Sequence, residues 1–168
     1  MTRVVAWVGL GANLGDPAQQ LGDALRALHA LPQSQVLAWS ALYQSAAQGG
    51  PVQADYVNAV AKLETELAPL RFLQCMLDIE RGAGRTRDGA LNAPRTLDLD
   101  LLAYDDLQLD QDGLRLPHPR LHQRAFVLVP LLELGADFHI DGQHLQHWLK
   151  AASNQPVLRL STPAVWTL

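Results

Sequence analysis

The sequence predicts an α+β fold: a βαββαβ core with an antiparallel sheet, helices packed on it, and an added C-terminal hairpin and helix. Three observations carry this. Four short segments read as strands, by period-two alternation or by an apolar run of strand length. Two segments between them place apolar residues at helical spacing behind clear start signals. The second and third strands are joined by a loop, 45–55, rich in Ala, Gln and Gly and too polar to build core, so these strands pair antiparallel. That order is the split βαβ, ferredoxin-like layout.

Each element has its own justification. Residues 3–10 form an apolar strand around Val4-Val5-Ala6-Trp7-Val8, interrupted by Gly9, Gly11 and Gly15. Asp16-Pro17 starts a helix, with Asp as N-cap and Pro in the first turn. Leu21, Ala24, Leu25, Leu28 and Leu31 share its apolar face, and Pro32 stops it. Residues 35–44 alternate as one strand. Residues 56–66 form the third, with Val57, Ala59, Ala61 and Leu63 facing the core. Pro69 opens a second helix with Leu70, Leu73, Leu77 and Glu80 on one side, ended by Gly82. The fourth strand runs through Arg95-Thr96-Leu97-Asp98-Leu99-Asp100-Leu101-Leu102. A turn at Asp105-Asp106, short strands at 107–109 and 114–116, and a rigid Pro117-His118-Pro119 turn follow. Residues 123–134 read as a helix that Pro130 kinks or starts. One more helix is expected at 144–152, with no pattern legible beyond it.

At 168 residues the chain suits one domain, 1–168, with a full core. Its net charge of −4 argues against a broad nucleic-acid surface. No run of eighteen apolar residues and no signal-peptide layout is present, so the expected setting is the cytoplasm, away from membranes. The single cysteine, Cys75, excludes an internal disulfide and falls in a helical apolar pattern, as a buried thiol does.

The chemistry concentrates between Arg81 and Asp100. Of thirteen Lys and Arg, eleven are Arg, and four of these, Arg81, Arg85, Arg87 and Arg95, precede the Asp98–Asp100 pair. On a strand, i and i+2 leave the same face with Cα atoms roughly 6.5 Å apart. Leu97, Leu99 and Leu101 therefore enter a core, and Asp98 and Asp100 leave together on the other side. Two adjacent carboxylates repel, and Asp is a poor strand residue. Magnesium resolves both costs, and arginines beside it meet the phosphates it brings. Either feature alone has an ordinary reading, a solvated strand face or a solvated basic loop. Their adjacency is what phosphoryl transfer needs.

With these pieces placed, the chain resembles the 6-hydroxymethyl-7,8-dihydropterin pyrophosphokinase family over about residues 4–135. The resemblance rests on Gly9-Leu10-Gly11-Ala12-Asn13-Leu14-Gly15-Asp16, on Asp55-Tyr56-Val57-Asn58-Ala59-Val60 and on Gly84-Arg85-Thr86-Arg87. It continues through Asn92-Ala93-Pro94 into the Arg95–Leu102 stretch, then Pro117-His118-Pro119-Arg120-Leu121 and Arg124-Ala125-Phe126-Val127. It implies transfer of diphosphate from ATP to the pterin hydroxymethyl group, leaving AMP, in folate biosynthesis. It also implies two Mg2+ ions held by Asp98 and Asp100. By family position, Arg85 and Arg95 clamp phosphates during bond breaking, and Arg87, His118 and Arg124 contact the nucleotide. Glu80 lies near it, and the Leu101 backbone meets adenine. Tyr56 and Phe126 match the family's stacking rings, Asn58 its amide, and the stretch from Ser45 to Gln48 its pterin wall. The partners implied are the two small substrates, and the expected state is a monomer. The proton acceptor is expected to be Asp98 or an oxygen on the metal, and loops 82–94 and 45–55 are expected to close over substrate. The chain differs from the family pattern at Ser45-Ala46-Ala47-Gln48, where Thr and Pro are usual, and at Ala12, Leu91 and Asn92.

Other readings compete. Gly9-Leu10-Gly11-Ala12-Asn13-Leu14-Gly15 approaches a dinucleotide-binding fingerprint, but a Rossmann oxidoreductase needs an acidic residue at the end of the next strand. That strand ends Tyr43-Gln44-Ser45. A noncatalytic ferredoxin-like binding module is the second alternative. A zinc enzyme is the third, and neither His118 with His122 nor His144 with His147 has an evident third ligand.

Overall fold

The computed structural model of the chain describes residues 2–46, 55–83, 97–161 and 166–168. Strand β1 (Val4–Ala12) is followed by helix α1 (Pro17–His29). The Asp16 carboxylate accepts the Gln19 N–H at 3.2 Å, the expected cap. Leu21, Ala24, Leu25 and Leu28 are the buried face of α1, as their spacing requires.

The strand expected over 35–44 is two strands, β2 (Ser34–Trp39) and β3 (Tyr43–Ser45), and both pair antiparallel with β4 (Tyr56–Thr65). Trp39 lies opposite Ala61 and Tyr43 opposite Asn58, so this side of the ladder carries one extra residue. The break is held by polar groups that alternation cannot reveal. The buried Ser40 hydroxyl accepts the Val60 N–H at 2.9 Å, and the Ala41 N–H turns away to the Glu133 carboxylate at 3.0 Å.

Helix α2 (Pro69–Gly82) buries Phe72, Cys75, Met76 and Glu80. Of the side that carries Leu70, Leu73, Leu77 and Glu80, only Glu80 is buried: Leu70 is 52% exposed, and Leu73 packs against the core while only partly buried. The helix has two apolar stripes, and the sheet takes the one carrying the larger Phe72 and Met76. Gly82 is the last helical residue; the chain caps at Ala83, whose N–H bonds the Ile79 carbonyl at 3.1 Å.

Strand β5 (Asp98–Tyr104) pairs with the other edge of β1. A hairpin follows, β6 (Leu109–Gln111) with β7 (Leu114–Leu116), its first strand two residues later than expected. A 3-10 turn (Leu121–Gln123) leads into α3 (Ala125–Glu133), with Pro130 inside the helix. The tail holds β8 (His139–Ile140), β9 (Gln143–His144), α4 (Leu145–Ala151) and β10 (Leu158–Arg159). The β8–β9 turn is Asp141-Gly142 with φ of 50° and 78°, the Asp-Gly pair that such a hairpin turn favours.

The main sheet has the order β10-β3-β4-β1-β5, with β2 also on β4, and every pairing in it is antiparallel. This is the ferredoxin-like arrangement, its second strand split. One core lies between the sheet and helices α1 and α2; a second lies under α3 and α4. The C-terminal Trp166 joins the first core, donating its indole N–H to the Ala18 carbonyl at 3.1 Å. A Cβ at Gly22 would approach that indole to 3.1 Å, so glycine is what admits the ring against α1. Trp166→Ala is expected to destabilise the protein by about 3 kcal/mol in chemical denaturation; a loss below about 1 kcal/mol would show the tail to be incidental to the core.

Candidate active site

Alternation along β1 builds the floor of the site. Ala6, Val8, Leu10 and Ala12 enter the first core and Trp7 the second. Gly9 and Gly11 therefore share Trp7's face. They lie within the strand and do not interrupt it, because β4 and β5 pair with its backbone on both sides. The register sets Gly9 opposite Asp100 and Gly11 opposite Asp98. On the other side Gly11 faces Asn58. Carboxylates and amide thus border strand positions with no side chain, and these residues line a cleft of about 500 Å3. A Cβ at Gly11 would come within 3.3 Å of Asn58 Oδ1. In the sequence these glycines read as interruptions of the strand; their place opposite the acids is visible only from the register.

Leu97, Leu99 and Leu101 are buried to 1%, 7% and 4% exposure, and Asp98 and Asp100 are half-buried on the opposite face. Asp98, Asp100, Glu80, His118, Arg124, Tyr56, Asn58, Ser45 and Phe126 all line the same cleft, joined by Arg120, which the sequence did not single out. The Leu101 side chain is in the core, and the residue also borders an adjoining depression of about 480 Å3. Arg85, Arg87, Arg95 and Gln48 lie outside the described residues, as do most of the two expected lid loops.

Specific contacts hold these groups. Glu80, 2% exposed, accepts the Leu99 N–H at 2.8 Å. It pins the outer edge of β5 between the two aspartates. The β1–β5 register shifts at Trp7/Val8, and the Leu102 carbonyl accepts the His118 N–H at 2.8 Å. That bond docks the turn beside the acids. His118 Nδ1 accepts the Arg120 N–H at 3.1 Å, which leaves the ring proton on Nε2, 3.9 Å from Asp100 Oδ1. Arg124 stands 3.8 Å from Asp100 Oδ2, with its guanidinium 5.6 Å from the Phe126 ring centre. Asn58 Nδ2 donates to Ser45 Oγ at 2.8 Å and to the Tyr43 carbonyl at 3.3 Å, which fixes the amide's orientation.

Burial, then the positive charges of Arg124 and Arg120, push the His118 pKa down to about 4 against the pull of Asp98. Burial also lowers that of Arg124, with Asp100 opposing. His118 is therefore neutral at pH 7 in the free protein, and its approach to Asp100 is not an ion pair. An NMR titration of the ring should give a midpoint near pH 4. The unfolded chain binds this proton more readily than the folded one. Its contribution to stability is complete above about pH 6.5 and falls away toward pH 4. A midpoint at 6.5 would contradict the desolvated environment.

Among the described residues no group of three or more His, Cys, Asp and Glu is placed to hold a metal ion. The paired carboxylates suit a hard divalent cation that takes its remaining ligands from phosphate oxygens and water, the habit of Mg2+.

Comparisons with known proteins point to one family. Residues 7–136 match the family model described as 7,8-dihydro-6-hydroxymethylpterin-pyrophosphokinase. The chain is similar to a Pseudomonas aeruginosa 2-amino-4-hydroxy-6-hydroxymethyldihydropteridine pyrophosphokinase, 43% identical, covering 92% of this chain and 95% of that one. It is similar to the Haemophilus influenzae protein of the same name at 38%, covering 94% and 99%. In fold it is similar to the wild-type Plasmodium falciparum HPPK-DHPS with pterin and p-hydroxybenzoate, with a TM-score of 0.69 at 13% identity. That match covers 90% of this chain and 42% of the larger one.

Proposed function

Since the chain belongs to the 7,8-dihydro-6-hydroxymethylpterin-pyrophosphokinase family, we propose that its cleft transfers diphosphate from ATP to 6-hydroxymethyl-7,8-dihydropterin. The observation that carries this is the meeting in one cleft of Asp98, Asp100, His118 and Arg124 with Tyr56, Asn58 and Phe126. The first set has the chemistry of a metal-bound polyphosphate, the second that of a flat heterocycle with polar edges.

The hydroxymethyl oxygen attacks the β-phosphorus of ATP. The bond from that phosphorus to the α,β-bridging oxygen breaks, AMP leaves, and the hydroxyl proton is released. Asp98 and Asp100 would hold two Mg2+, whose charge would offset that of the phosphates. Arg124 balances negative charge at the nucleotide, and the Nε2–H of neutral His118 donates to a phosphate oxygen. Arg85, Arg87 and Arg95 supply the remaining guanidinium contacts, and the Leu101 backbone meets adenine. Tyr56 and Phe126 stack on the pterin, and Asn58, with its amide already oriented by Ser45, reads the pterin edge. Ser45 to Gln48 walls that edge. Glu80 acts from beneath, through β5.

The same reading takes the 168 residues as one domain, a cytoplasmic monomer acting on small molecules, with neither nucleic acid nor membrane as partner. Among the described residues no helix is long and apolar enough to cross a membrane.

The test is incubation with Mg-ATP and 6-hydroxymethyl-7,8-dihydropterin, following nucleotide products. Pterin-dependent AMP is the expected result. ADP in its place would mean transfer of a single phosphoryl group, and no turnover would leave a noncatalytic binding module; either sinks the proposal.

A further inference from the structure

The tail past α4 carries no legible pattern in the sequence, yet one of its side chains reaches the cleft's supporting backbone. The Oε1 of Gln155 accepts the Ala125 N–H at 3.0 Å, and its Nε2 donates to the Gln123 carbonyl at 2.8 Å. These two groups immediately flank Arg124. Reversing the amide would set NH2 against an N–H and oxygen against a carbonyl, so both partners fix its orientation.

Arg124 is the N-cap residue of α3, with extended φ and ψ of −121° and 109°, and no side chain of its own segment caps this helix end. A helix start leaves N–H groups unsatisfied. Here an acceptor thirty residues further on meets one of them. The amide is itself anchored: the Gln155 N–H bonds the Ala152 carbonyl at 3.0 Å at the end of α4, and Leu145 of α4 is fully buried in the second core.

We propose that Gln155 is a positioning residue that brackets Arg124 through the backbone on either side, setting the guanidinium beside Asp100 and Phe126 for nucleotide binding. This rests on the nucleotide reading of the cleft given above. Arg124 is half-buried and stands 3.8 Å from one group and 5.6 Å from the other. A turn of its backbone moves the charge out of reach of both, because a side chain swings on the direction of its own Cα–Cβ bond.

The test uses the full chain with Gln155→Leu, which removes both bonds at similar size, and Gln155→Glu, which keeps an acceptor for Ala125 and loses the donor to Gln123. Gln155→Leu should speed hydrogen exchange at the Ala125 amide and weaken MgATP binding about tenfold, with Gln155→Glu between it and wild type. In an Arg124→Ala background neither change should weaken binding further, since the residue being positioned is gone. An unchanged dissociation constant in both variants, or a full independent loss in the Arg124→Ala background, overturns the proposal. Should the Leu variant fail to fold, the Glu variant carries the same readouts. Wild-type protein that binds no MgATP would instead sink the nucleotide reading, and the proposal with it; the exchange rate at Ala125 would then report the backbone anchoring alone.

Discussion

Asp100→Asn is expected to lower kcat for pterin-dependent AMP formation by at least about a thousandfold while leaving the fold intact. The substitution keeps shape and removes charge. Asp100 is half-buried on the open face of β5, so no packing is lost. It is also the acid nearest to His118 and Arg124, at 3.9 and 3.8 Å. Removing its charge takes from Arg124 the stronger of the two carboxylates, Asp100 and Asp98, that offset its burial. A metal held between Asp98 and Asp100 would lose half its protein charge. Magnesium titration should show weakened binding in parallel with the lost turnover. Asp98→Asn should behave alike, since Asp98 faces Gly11 as Asp100 faces Gly9. A variant with unchanged melting that keeps a tenth or more of wild-type turnover would remove Asp100 from the chemistry.

Glu80→Ala should act on stability and activity together. The carboxylate is buried and accepts the Leu99 N–H, between the two aspartates. Truncation leaves that N–H buried without its acceptor and opens space between α2 and β5. The expected cost is about 3 kcal/mol in urea denaturation, from the unsatisfied donor and the lost packing. Turnover should fall as well, on the order of a hundredfold, because catalytic geometry tolerates little displacement of the carboxylates that β5 carries. Glu80→Gln retains an acceptor and should fall between. If Glu80→Ala destabilises as expected but turns over normally, β5 is held firmly enough by β1 alone. Glu80 would then be a purely structural group.

Glu80 also illustrates how far the sequence could be read. Its place on the inner side of α2 was evident from spacing, but its companions were not. Leu70, Leu73 and Leu77 form a stripe as regular as Phe72, Cys75 and Met76, and helical periodicity cannot choose between two stripes on one helix. The sheet chose by packing. The strand over 35–44 looked continuous because its alternation is unbroken. It splits because Ser40 takes the place of a ladder group and Glu133, ninety-two residues beyond Ala41, draws off that residue's N–H. Gly9 and Gly11 read as interruptions of the strand, and only their register against Asp98, Asp100 and Asn58 shows them as floor.

What the sequence determined by itself was local and periodic. The Leu97-Asp98-Leu99-Asp100-Leu101 alternation dictated that both acids leave one face together, because successive strand residues must point to opposite sides. The Asp16 cap and the starts of α1 and α2 followed from backbone chemistry within a few residues. Tertiary structure alone decided which distant groups meet those acids. His118 arrives through its bond to the Leu102 carbonyl, Arg124 through a backbone bracketed by Gln155, and the tail through β10 on β3 and Trp166 on Gly22. Such contacts depend on register and on packing between residues far apart in the chain, and no local period encodes them.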